Sequence, residues 1–218
     1  MDKDSYIKGF RLTFENAQRL FNASITLEEK NELAIANSLL VLCAEEGMKA
    51  YTIITQHFYP EKILEDFDKS FEDHKHKLEA IRSITGISQM FKKFGELYYY
   101  PIIENIIESK ENAKKLKDKS FQNLLGWLKN EVKSNDTELA KQNIWWKHAK
   151  TMKENGFYVG YNKGHWTNPS SIKKENYLKT KKYVSEFLSQ IEVLYNLDYN
   201  DKSVLDLIAE MKDKIKDA

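Results

Sequence analysis

Apolar side chains return every third or fourth residue along most of this chain, and that period, close to one α-helical turn, constrains the fold more than any other feature. Over 5–23, Ile7, Phe10, Phe14, Ala17 and Phe21 fall on one face, with Arg11, Glu15, Gln18 and Arg19 between them. Thr26 followed by Glu29 reads as a capping box that opens a second helix, which continues to about Phe58 through Leu33, Ala36, Leu40, Ala44, Met48 and Tyr51. A third helix over 61–85 carries Leu64, Phe67, Phe71, His74, Leu78 and Ile81 on one stripe. The short Tyr59-Pro60 connection makes it antiparallel to the second. Further helices are expected over 87–109, 111–133 and 137–154, from Ser170 or Ser171 to about Asn196, and over 202–215. With 8 Gly and 3 Pro among 218 residues, turn signals are too sparse for a sandwich or barrel. The expected fold is an all-α antiparallel helical bundle, one domain over 1–218.

One segment breaks the pattern. Between 155 and 171, Gly156, Gly160, Gly164 and Pro169 interleave with Phe157, Tyr158, Tyr161 and Trp166, which reads as an ordered aromatic loop. Charge gives no strong pointer to a partner. Lys plus Arg number 34 against 33 Asp plus Glu, so no global field draws the protein to nucleic acid or membrane, and any RNA contact must be a local patch. No apolar stretch is long enough to span a bilayer, and Met1 to Lys8 lacks the apolar core of a signal peptide; a cytoplasmic location is expected. The single Cys43 sits in an apolar run, which suits a buried, inert thiol.

Chemistry concentrates in two places. Glu45, Glu46 and Lys49 occupy one turn of the second helix among apolar neighbours, and His74 and Lys77 lie one turn apart on the third. Antiparallel packing brings the two groups opposite each other, where a carboxylate orienting a His beside a Lys has the parts needed to activate an RNA 2′-hydroxyl. The same residues also suit a structural role, as a salt bridge and a core histidine. The second place is the aromatic loop, where Tyr158 and Trp166 can stack on bases while Lys153, with Lys150 and Lys163, holds phosphate. Closing the bundle end or forming a dimer contact is the more ordinary use of such rings, and the adjacent Trp145 and Trp146 are expected to present at least one ring to another chain. His57 and His165 read as solvated loop residues. No Glu-x-x-His pair or His-Glu-x-x-His occurs, so neither a metal nor another cofactor is expected.

Three passages together resemble the AbiV-type abortive-infection family of the HEPN clan. They are the small and apolar run from Ala34 that ends in Glu45-Glu46-Gly47-Met48-Lys49, the His74 to Lys77 spacing, and the Met152 to Tyr161 passage followed by Trp166 and Pro169. The resemblance runs from about Phe10 to Leu188. It implies a HEPN-like bundle with extra C-terminal helices, a homodimer, and arrest of the infected cell through RNA or translation, in catalytic form as a metal-independent ribonuclease. It also makes Glu45, Glu46, Lys49, His74 and Lys77 the expected functional centre, and a phage protein a candidate trigger. One departure stands out: HEPN ribonucleases commonly place a His four to six residues after an Arg, and Arg11, Arg19 and Arg82 have none there. Lys69 before His74 and Lys141 before His148 offer charge in its place. The alternative is a non-catalytic interaction module that binds a phage or host protein.

Overall fold

The computed structural model describes residues 3–58, 77–82, 137–169 and 172–197, with positions 73, 84, 122, 123 and 199. Its elements are α1 (Lys3–Glu29), α2 (Leu33–Phe58), α3 (Glu138–Phe157), β1 (Gly160–Asn162), β2 (His165–Thr167) and α4 (Lys174–Tyr195). Residues 77–82 are helical as well. The fold is all-α, as the periodicity predicts. The helices expected over 87–109, 111–133 and 202–215, most of that over 61–85, and the Ser170 and Ser171 caps lie outside the described residues. The chain forms two compact units, one comprising residues 1–81 and 148–218 and the other residues 82–147.

In the first unit α2 is the central element. Ala36, Leu40, Val41, Cys43, Ala44, Ala50 and Ile54 are fully buried, so its apolar surface extends around most of the cylinder, as expected of an interior helix. On α1, Phe10, Phe14 and Ala17 pack against it; on α4, Tyr177, Val184, Phe187 and Ile191 are likewise buried. Gly47 allows α4 to approach closely, since a Cβ there would stand 3.1 Å from the side chains of both Phe187 and Leu188. The fully buried Cys43 has its thiol pKa pushed up, chiefly by burial, so it stays protonated and unreactive.

The boundary between α1 and α2 is not where Thr26 and Glu29 suggest. Thr26 lies within α1, its Oγ1 donating to the Asn22 carbonyl. The stop comes at Asn31, which adopts a left-handed φ of 60° while its N–H donates to Glu28 O and the Glu32 N–H donates to Leu27 O, both at 2.9 Å. This is the Schellman arrangement, and Asn takes the left-handed position more cheaply than most residues because its short amide can hydrogen-bond locally. At the other end of the unit, α4 starts at Lys174 after Lys173, which makes no side-chain capping bond.

A polar seam joins α1 to α4. The Tyr177 hydroxyl donates to Glu28 Oε2 at 3.0 Å, and the Lys181 ammonium reaches the same oxygen at 2.8 Å. Lys181 holds the Glu28 carboxyl below its ordinary pKa. Burial and the neighbouring Glu28 push Tyr177 up to about 12, and burial does the same for Tyr199. A group whose folded pKa is raised adds stability below its unfolded pKa, and that stability is lost as pH climbs through the folded value. Melting temperature should therefore fall steeply between about pH 10, where an unfolded tyrosine ionises, and the folded value of about 12. Tyr177→Phe should flatten that slope; an unchanged slope would remove Tyr177 from the account.

The described part of the second unit includes the start of α3, where Trp145 and Trp146 contact edge-on with ring centroids 4.5 Å apart. They are 6% and 1% exposed, so neither is presented to a partner. Adjacent helical positions diverge by about 100°, and the burial around this helix is wide enough to take both.

Candidate functional site

The middle of α2 carries the densest ionic arrangement in the described structure. Glu45 is 2% exposed, and its Oε1 accepts from the Lys153 ammonium at 2.7 Å. Lys153 comes from α3 and is positioned by its own backbone, because the Ser38 hydroxyl donates to the Lys153 carbonyl at 2.7 Å. Gly156, one turn further on, makes this crossing possible: a Cβ there would lie 2.4 Å from the Ala34 carbonyl oxygen. The close approach of α3 thus delivers a long cation to a carboxylate that burial alone would make costly.

Glu46 points to the other side. It accepts from Lys49 and, at 3.0 Å, from the Asn16 amide of α1, whose oxygen in turn accepts from the Arg19 guanidinium at 2.9 Å. Glu46 and Lys49 side chains keep about a fifth of their surface open, at 20% and 22%, and Arg19 is exposed. Lys77, 1% exposed, feels both carboxylates and both lysines. Its pKa is lowered, first by burial and then by Lys49 and Lys153, with Glu45 and Glu46 opposing. The result is a network that starts at the surface on Arg19 and ends at a buried amine held below the ordinary lysine range.

The second feature is the β1–β2 hairpin within the expected aromatic loop. Lys163 and Gly164 turn the chain with φ of 47° and 88°, both left-handed, as the tightest hairpin turn requires. The register pairs Tyr161 with Trp166, and their rings touch at 4.8 Å. Exposure here is large: 67% for Tyr158, 63% for Tyr161 and 74% for Trp166, with Lys163 and His165 also exposed.

The structure thus brings together Glu45, Glu46, Lys49 and Lys77 as the sequence suggested, while His74 lies outside the described residues. Lys153, expected to hold phosphate beside the aromatic loop, is instead drawn inward to Glu45. Tyr158 and Trp166 stand where the loop reading put them. Asn16 and Arg19 were missed as site residues; their partner lies on another helix, so no spacing within α1 could reveal the contact. His57, expected in a loop, lies in the last turn of α2, its ring 6.1 Å from that of Tyr6. Among the described residues no cluster of His, Cys, Asp or Glu could hold a metal ion, and no helix is long and apolar enough to cross a membrane.

Fold and site together define a helical bundle organised around an internal ionic centre on its central helix. The HEPN_AbiV family model, described as AbiV, matches residues 5–189, from the start of α1 through most of α4. The chain belongs to this abortive-infection family of HEPN proteins. No curated protein and no solved structure gave a significant match.

Proposed function

We propose that the protein arrests the infected cell by engaging RNA, with the aromatic hairpin as its contact surface. The observation that carries this reading is the exposure of Tyr158, Tyr161 and Trp166 within one short segment, between 63% and 74% each. Isolated exposed rings need no explanation, but a contiguous set on a tight hairpin is a surface built for a ligand. Aromatic faces accept any unpaired base, and the Lys163 ammonium at the tip supplies a charge for the backbone phosphate. The ionic centre is the candidate for chemistry. At its open edge Glu46 and Lys49, backed by Arg19, can meet a phosphodiester. Metal-independent cleavage at a 2′-hydroxyl is the reaction those groups suit.

A Tyr161→Ala/Trp166→Ala protein tests the contact, because both rings are exposed and their loss leaves the core intact. Affinity for single-stranded RNA should fall at least about tenfold, given ~1–3 kcal/mol for each stacked base, and protection against phage should fall with it. Retained affinity and full protection together would rule the hairpin out. The rival occupant is a second copy of the chain. In that case wild-type protein would show no RNA affinity, and light scattering would find a dimer that the double variant converts to monomer. Total RNA from infected cells carrying wild-type or Lys49→Gln protein separates cleavage from binding, since only cleavage leaves discrete fragments that the substitution removes.

A further inference from the structure

At the root of the hairpin, where the chain leaves α3 and returns toward α4, lies a cleft of about 240 Å³. Asn155, Asn168 and Asn176 line it, together with Met152, Pro169 and Ile172. We infer that this cleft is a nucleobase pocket that takes one unpaired adenine of a bound RNA strand.

The chemistry of the lining carries the assignment. Among the described residues no charged side chain contributes to the wall, so none of them offers a phosphate or carboxylate a counter-ion inside. The carboxamides of Asn155 and Asn176 each carry a donor and an acceptor side by side, the pattern that pairs with the N6 amino group and N7 of adenine. Met152, Pro169 and Ile172 supply flat or polarisable apolar contact for the ring faces, with the Met sulfur suited to an aromatic edge. Size points the same way. Pockets for whole drug-sized ligands run to roughly 300–1,000 Å³, so this cleft suits a single base better than a complete cofactor.

The surroundings fit a strand rather than a free base. Lys173 and Lys174 are exposed beside Ile172, where a sugar-phosphate leaving the cleft would pass. Glu175, the nearest acid on α4, is paired with Lys179 at 2.7 Å, which offsets its repulsion of phosphate. The hairpin that carries Tyr161 and Trp166 connects the lining segments that end at Gly156 and begin at Asn168. The inference rests on the RNA reading above and adds base selection to it.

The test measures anisotropy of labelled fifteen-nucleotide oligoadenylate and oligouridylate with the full chain. Wild type should prefer oligoadenylate by about tenfold, the discrimination expected of one good bidentate amide contact. Asn155→Ala/Asn176→Ala, both exposed positions, should lose that preference, its affinity for oligoadenylate falling to that for oligouridylate. Trp166→Ala should weaken both oligonucleotides alike. Equal wild-type affinity for the two, or a preference that survives the double Asn variant, overturns the pocket and leaves RNA engagement standing. Binding to neither oligonucleotide overturns the RNA reading itself, and the pocket with it.

Discussion

Glu45→Ala is expected to destabilise the protein by about 3–5 kcal/mol, the cost of breaking a buried ion pair by removing one partner. Lys153, 7% exposed, loses its 2.7 Å ionic contact, and the loss reaches Lys77, for which Glu45 is a favourable neighbour. Urea unfolding followed by far-ultraviolet circular dichroism measures it. The double variant Glu45→Leu/Lys153→Met should recover most of the loss, because apolar replacement of a whole buried pair is often neutral or better. A single variant as stable as wild type would mean that the pair is not desolvated. The result also decides how the site can be probed. A Glu45 protein that fails to protect against phage says nothing about chemistry, whereas Lys49, at the open edge with 22% of its side chain exposed, is the better probe.

Gly156→Ala should be nearly as damaging. Helix propensity alone favours Ala over Gly by about 0.8–1.0 kcal/mol, so any net loss isolates the contact. The added Cβ would meet Ser38 Oγ at 2.1 Å and the Ala34 carbonyl oxygen at 2.4 Å. A serine can rotate away, but a backbone carbonyl inside a helix cannot, so α3 must shift and take the Lys153 ammonium with it. Overpacking of this kind costs typically ~1–3 kcal/mol, and more where nothing yields. Adding Ser38→Ala to Gly156→Ala should not restore stability, since Ala34 still blocks the approach. A Gly156→Ala protein more stable than wild type would show that the helices part at this crossing without cost.

How much of this the sequence reveals depends on whether a signal is local. The apolar stripes of α1 and α2 are repeated over many turns, and both helices stand where the stripes put them. Their junction is different: Thr26 and Glu29 match a start signal, yet the Asn31 turn ends α1, because the hydrogen bonds that stop a helix depend on backbone angles that neighbouring residue types only bias. The same divide runs through the site. Glu45, Glu46 and Lys49 are near in sequence, so their association could be read directly. Lys77 could be set opposite them only through the expected antiparallel pairing, a long-range inference rather than a local one. Lys153 could not be placed, since its direction is set by the Gly156 crossing, and an exposed aromatic neighbourhood in sequence made it look like a surface cation. Trp145 and Trp146 show the converse, a pair that helical geometry splays apart and a wide interior nevertheless covers. The aromatic loop was legible as an exception to the helical period, but its hairpin turn, with Lys163 in a left-handed conformation, was not.

The lone thiol of α2 gives this molecule a built-in reporter. Cys43 lies fully buried against α1 with its proton held tightly, so a thiol reagent must wait for the helices to separate. With 1 Cys in the chain, every labelling event reports the same opening. Under rapid reclosing, the labelling rate divided by that of an unfolded thiol gives the free energy of that opening. Added RNA would then register as slower labelling if binding holds α1 and α2 together, without any change to the protein.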